Sequence, residues 1–340
     1  MRSDQQSRRA AMRVMCALMA AMVLSAGALR VTAQAAGERG TIRIWGHGHH
    51  GQDYILTLLQ AWEDGFGQTH PGTRFDNELD GDASAIGGLF TDTADLAILD
   101  REASFIEVDA YQQGTGFDPW RMAVASGSVA TAHHAPALVI YVNPANPLKY
   151  LTLRQLDGIF DADHRLGAMR YRTWGDLGLT GEWALQPIRL YTYQIESAEM
   201  QFFERAAMKG SQKFACCLTT FASNPGNSAT EQIAEAVAKD RFGLAMIASE
   251  EPQLKPVPLS AKEAGEAVLP TAGAIATGSY PLARTVYVYA KRKPNALVPA
   301  KVAAFLSYIV SPEGQLIAAH TGGYLPLPPD AAAQSREALR

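Results

Sequence analysis

The 340 residues carry 30 basic and 34 acidic side chains, for a formal net charge of -4, and 47% of them are hydrophobic. A chain of that length buries a sizeable core and divides into two domains, and its charge offers no basic face of the kind nucleic-acid binding needs. With three cysteines in all, disulfides cannot staple the fold, so packing has to carry its stability.

The N-terminus reads as a targeting segment. Arg2, Arg8, Arg9 and Arg13 precede and flank the apolar residues 14–28, and Ala33-Gln34-Ala35 is an A-x-A-like cleavage site. An apolar run of about 15 residues is short for a membrane span, so a cleavable signal peptide over residues 1–35 and a periplasmic destination are expected. Arg8-Arg9 leaves the Sec and twin-arginine routes both open. Beyond the signal only Cys216 and Cys217 remain. Adjacent Cα atoms lie about 3.8 Å apart, below the usual disulfide range of roughly 4.4 to 6.8 Å, so two partly buried thiols are expected.

Residues 41–45 then form a short strand, followed by the loop Gly46-His47-Gly48-His49-His50-Gly51. Ile55, Leu58, Leu59, Trp62 and Phe66 recur at helical spacing. Residues 74–79 form a second strand, and Asp80-Gly81-Asp82-Ala83-Ser84 leads into another helix. Residues 96–99 are a third strand with Asp100-Arg101 at its end. Strand and helix in alternation imply a parallel sheet whose loops gather at the carboxyl ends of the strands.

Residues 137–142 are short, apolar and β-branched, which makes them a buried strand. Asn143-Pro144 and Asn146-Pro147 stop it, because proline cannot donate to a ladder and drives its predecessor extended. Thr152 then stands as a helix N-cap ahead of Leu153, Leu156, Ile159 and Phe160. Such a passage marks a chain leaving one domain for another. Residues 188–193 form a strand ending at Gln194-Ile195-Glu196-Ser197, ahead of a helix bearing Met200, Phe203 and Ala207. Ser228 and Glu231 make a capping box. Residues 242–247 are a strand expected to run back towards the first domain, and residues 285–289 are another. A helix with Val298, Val302, Phe305, Leu306 and Ile309 follows.

The passage 137–160 resembles the crossover segment of PstS-type phosphate-binding proteins, the extracytoplasmic receptors of phosphate ABC importers. A-D-L-A-I-L-D-R-E from Ala94, Y-P-L-A-R-T-V-Y-V-Y from Tyr280, S-P-E-G-Q from Ser311 and G-G-Y-L-P-L from Gly322 agree with that family in the same order. The resemblance implies an α/β fold of the two-lobed periplasmic binding protein kind (type 2), each lobe a mostly parallel sheet flanked by helices. Lobe one would comprise residues 36–142 and 250–340 and lobe two residues 143–249, with a hinge near Val142 and Ala248.

It also implies a ligand site between the lobes. The family's first glycine-serine loop falls on Gly46, His47 and Gly48, and its second on Gly81, Asp82 and Ala83 with Ser84 beside them. Its serine-arginine after the third strand falls on Asp100 and Arg101. Its lobe-two helix start falls on Ser197, Ala198 and Glu199, with Tyr193 where the family has arginine. Free N–H groups at helix starts, an arginine fork and a carboxylate are what a protonated oxyanion needs. The implied function is a monomeric solute-binding receptor for phosphate or another small oxyanion or polar ligand, with an ABC permease as partner. No catalytic residue, cofactor or metal is implied. A metal-assisted phosphoesterase and a ligand-free scaffold or sensor are the alternatives.

Loss of one partner of a buried charge pair costs roughly 2 to 5 kcal/mol. Tyr193 in place of arginine is therefore expected to weaken phosphate binding by roughly 30-fold to several thousand-fold. The histidines His47, His49 and His50, with Asp53, Asp82 and Asp100, match no metallohydrolase spacing. His133 and His134 are placed on the surface, Asp95 at a strand end, and Glu107 as a charge on a helix face. N-terminal sequencing of the exported protein is expected to begin near Ala36, and an intact Met1 would refute the cleavable signal.

Overall fold

In the computed structural model the described residues are 40–48, 54–321 and 323–340. The expected signal peptide over 1–35 and His49, His50 and Asp53 lie outside them. The first stretch runs β1 (Gly40–Gly46), α1 (Leu56–Thr69), β2 (Thr73–Glu78), α2 (Asp82–Phe90), β3 (Leu96–Leu99), α3 (Phe105–Thr115) and β4 (Trp120–Ser126). Next come β5 (Val139–Val142), β6 (Leu151–Thr152), α4 (Leu153–Phe160), β7 (Arg189–Tyr193), α5 (Ala198–Ala207) and β8 (Leu218–Phe221). They are followed by α6 (Ala229–Lys239), β9 (Gly243–Ile247), β10 (Lys255–Pro256), β11 (Leu259–Ser260) and α7 (Ala272–Ala276). The chain ends with β12 (Thr285–Ala290), α8 (Ala300–Ile309), α9 (Pro312–His320) and α10 (Pro329–Ala338).

Two five-stranded sheets form, ordered β2-β1-β3-β12-β4 and β10-β5-β9-β7-β8. In the first, β1 is parallel to β2 and β3, while β12 runs antiparallel between β3 and β4. In the second, β7 is parallel to β8 and β9, and β5 is antiparallel to β9 and β10. Each sheet is mixed, two of its four pairings parallel and two antiparallel, and each carries its own core. The first core packs Leu58, Leu59, Trp62 and Phe66 of α1 against Ile42 and Ile44, and the second surrounds Ile140, Phe160, Trp174 and Phe203. Trp62 completes the α1 contact by donating its Nε1–H to the Gly314 carbonyl at 2.8 Å.

Helix starts follow the local signals. Thr152 caps α4 by accepting from Gln155 N–H, and Ser228 caps α6 by accepting from Glu231 N–H. Ser104 does the same for α3 with Glu107 as the reciprocal partner, so Glu107 is half of a capping box rather than a helix-face charge.

Sheet membership moves the passage between lobes. The reading that kept residues up to 142 in lobe one does not hold for β5, which pairs along its length with β9. All four of its side chains are buried in the second core. β10 joins the same sheet beyond Val142, so residues after 249 do not return at once to the first lobe. Nor does β9 lead back there, since all five of its residues are buried between β5 and β7. The chain crosses between Ser126 and Val139 and returns between Ser260 and Thr285, not near Val142 and Ala248.

The two crossings are bonded side by side. Gly127 N–H donates to Arg284 O at 2.9 Å, Leu138 N–H to Leu282 O at 3.1 Å, and Tyr280 OH to Leu138 O at 2.7 Å. A Cβ on Gly127 would collide with the Ala135 carbonyl, so only glycine lets the crossing fold on itself there. Gly127→Ala is expected to cost about 1 to 3 kcal/mol by overpacking, read as a lowered urea midpoint, and an unchanged midpoint would refute the close approach.

Candidate functional site

Both sheets present the carboxyl ends of their parallel strands to one cleft of about 900 Å³. From the first sheet come His47 and Gly48 after β1, Asp82 and Ala83 after β2, and Asp100 and Arg101 after β3. From the second come Tyr193, Ser197, Ala198 and Glu199 after β7, Ser223 and Thr230 after β8, and Ser249 after β9. Ten of the twelve residues named from the sequence therefore line the cleft. The other two do not. Gly46 lies behind it, where a side chain would strike Ile98. Ser84 turns its hydroxyl back to the Gly81 carbonyl at 3.0 Å.

Three helices, α2, α5 and α6, begin at this cleft. The first turn of a helix has N–H groups without intrahelical partners and the positive end of the dipole. Some of that capacity is used by caps: Ser197 Oγ accepts from Met200 N–H at 3.2 Å and Ser228 Oγ from Glu231 N–H at 3.1 Å.

Charged side chains of alternating sign cross the cleft floor. Glu199 faces Arg284 at 3.8 Å, and Arg284 faces Asp100 at 3.7 Å. Asp100 and Asp82 flank His47 at 3.7 and 3.3 Å. Asp82 reaches Arg101 at 3.4 Å, and Arg101 forks onto Glu107 at 2.7 and 2.8 Å. Four carboxylates thus meet two guanidiniums, leaving the floor negative when His47 is neutral. Asp82 and Glu199, whose charges would repel an incoming anion if left bare, are engaged by these cations.

The environment fixes the protonation states. Burial opposes a charge on His47, but the Asp82 bond and the Asp100 carboxylate outweigh it and raise its pKa to about 8. Burial likewise opposes charge on both members of the Arg101–Glu107 pair. Their mutual bonds win, holding the guanidinium proton more tightly than usual and the carboxyl below its ordinary range.

Four lining or neighbouring groups escaped the sequence reading. Arg284 is buried with its side chain 3% exposed. It stands in the quoted Y-P-L-A-R stretch, and a lone arginine leading into an apolar strand was the available signal. His133 is not merely a surface residue: its carbonyl accepts from His47 Nε2 at 2.7 Å, and its ring stacks on Tyr54 at 4.2 Å. Thr230 meets Tyr193. Tyr324 brings a buried hydroxyl whose pKa is raised by burial and then by Asp100 and Asp82. His47, Asp82 and Asp100, expected to hold no metal, have ligand atoms within 4.8 Å of one another. The cysteines, expected partly buried, are both exposed.

The PBP superfamily domain matches residues 32–313. The phosphate-binding protein PstS of Pseudomonas aeruginosa is 30% identical over 283 residues, covering 82% of this chain and 82% of that protein. Among solved structures, PstS from Borrelia burgdorferi has a TM-score of 0.52 at 15% identity, covering 85% of this chain and 99% of the other. An ABC-type phosphate transport receptor from Vibrio cholerae gives 0.50 at 20% identity, with coverages of 84% and 99%. At such identities the structural likeness speaks for the fold.

Tyr193 does not offer a cation, but it knits the second lobe. Its hydroxyl meets Thr230 Oγ1 at 3.0 Å and accepts from Ala248 N–H at 2.9 Å, and burial pushes its pKa up to about 12. Tyr193→Phe leaves that buried N–H without its acceptor and is expected to cost about 1 to 3 kcal/mol. A denaturation midpoint equal to that of the unmodified chain would show the bond to be idle.

Proposed function

The chain belongs to the PBP superfamily, among the PstS phosphate-binding proteins, and on that premise we propose that it is an extracytoplasmic solute receptor. It takes a small protonated oxyanion, phosphate first among them, into the cleft between the two sheets. It holds the ligand without chemistry and presents it to an ABC permease. The observation that carries this reading is the meeting of three helix starts with the half-buried Arg101 and the buried Arg284 at one cleft. Each supplies donors or positive charge to an anion, and Asp82 and Asp100 can accept a proton-bearing ligand oxygen. The signal-like residues 1–35 and the binding-protein relatives support delivery outside the cytoplasm and a role without catalysis.

Affinity is set by what the ligand must displace. Every guanidinium in the cleft already faces carboxylates, so an anion gains only the difference between its own contacts and those. Phosphate is therefore held weakly, in roughly the micromolar range or above. Closure of the lobes about the paired crossings completes the contacts, since each lobe supplies half of them.

Calorimetry with phosphate on the purified mature chain is the direct measurement. Binding in that range is expected, weakened by roughly 30-fold or more in Arg101→Ala and in Arg284→Ala. The radius of gyration at saturating phosphate is expected to fall. Submicromolar affinity would overturn the displacement argument. Failure to bind phosphate or any other oxyanion would overturn the receptor reading.

A further inference from the structure

We propose that Glu102 and Arg205 form a positioning bridge between the lobes, one that draws the cleft shut without touching the ligand. The inference goes beyond the receptor reading, because it concerns two side chains outside the cleft and is read first on the empty chain.

The pair spans the lobes. Glu102 follows β3 in the first lobe, and Arg205 lies in the last turn of α5 in the second. Arg205 Nε stands 3.1 Å from Glu102 Oε2. Neither residue lines the cleft, but each adjoins a part that does. Glu102 follows Arg101 directly, and its carbonyl accepts from Arg101 Nη1 at 3.1 Å. Arg205 shares its helix with Ala198 and Glu199. Glu199 in turn faces Arg284 of the first lobe at 3.8 Å. α5 therefore meets the first lobe twice, with an acid at its start and a base at its end.

The carboxylate is held ready for its partner. Arg121 of β4 meets Glu102 Oε2 at 2.9 Å from within the first lobe, and its guanidinium lies over the Tyr287 ring at 5.1 Å. The next residue is fixed too, because Ala103 N–H donates to Tyr289 OH at 2.8 Å. An exposed ion pair is usually worth little, since two long side chains must be ordered to make it. Here Glu102 is ordered already. Its side chain is only 25% exposed and that of Arg205 30%, which limits screening by salt.

A second observation points the same way. Arg205 Nε is buried without a hydrogen-bond partner among the described residues, although Glu102 is so near. The separation suits a hydrogen bond; the direction of the N–H does not. A buried donor left unsatisfied is costly. With Glu102 anchored by Arg121 and Nε buried, the movement left to align them is that of one lobe against the other. The bond is thus completed as the lobes close.

Small-angle scattering of the full mature chain, without phosphate and at low salt, is the first test. The radius of gyration is expected to rise in Arg205→Gln and in Glu102→Gln as the lobes part. Arg121→Gln removes the partner that Glu102 has inside its own lobe, and there no rise is expected. By calorimetry, inorganic phosphate is expected to bind about fivefold more weakly in Arg205→Gln, because apparent affinity falls with the fraction of chains able to close. An unmodified chain that binds no phosphate counts against the receptor reading, while the scattering of the empty variants still judges the bridge. A radius of gyration unchanged in Arg205→Gln or in Glu102→Gln, or an equal rise in Arg121→Gln, would overturn the proposal. So would a phosphate affinity that Arg205→Gln leaves where it was.

Discussion

A guanidinium nearly withdrawn from water, as that of Arg284 is, stays charged only where carboxylates reach it, because desolvating an ion costs several kcal/mol. That requirement organises the cleft. Asp100 and Glu199 answer Arg284, His47 answers Asp100, Asp82 answers His47, Arg101 answers Asp82, and Glu107 answers Arg101. No member can be removed without leaving its neighbour a buried charge with one partner fewer. Substitutions along this row are therefore coupled, and their effects will not add. The row also joins the lobes, since Glu199 opens α5 in the second while Glu107 sits in α3 of the first.

The folding pattern explains why these groups meet. A parallel strand followed by a helix leaves its connecting loop at the strand's carboxyl end. Two such sheets facing each other bring six loops to one cleft with no long loop required. Fine placement then depends on small features: Gly46 lets β1 end hard against Ile98, and the Ser104–Glu107 capping box holds the carboxylate that receives Arg101. Glu107 serves helix start and charge row at once, which ties the stability of α3 to the electrostatics of the cleft.

What the sequence revealed was what is written locally. Apolar runs marked β1, β3, β5 and β9, and Thr152 and Ser228 marked helix starts, because those signals act within a few residues. The lobe to which β5 belongs is not local. It is decided by pairing with β9 about a hundred residues later, and the double proline beside it suggested a boundary that lies elsewhere. Of the cleft, the loops were legible from their order after strands. The partners were not: nothing in Y-P-L-A-R says that Arg284 turns towards Asp100, and the His133 carbonyl carries no side-chain signature. The shift of the cysteines from partly buried to exposed has the same origin, since burial is a property of the assembled surface.

The position of β12 has a bearing on the order in which the chain takes shape. It lies between β3 and β4, antiparallel to both, yet it is made after every strand of the second sheet. Until residues 285–290 are available, β4 has no neighbour in its sheet and β3 lacks one of its two. The inner lobe has all its strands in one contiguous stretch, while the outer one lacks the strand that joins β3 to β4 until the chain has returned. Contacts of such sequence separation form slowly because a long loop must close first. A truncation just before Thr285 would spare the sheet of β5 and β9 and leave the one that begins the protein unfinished.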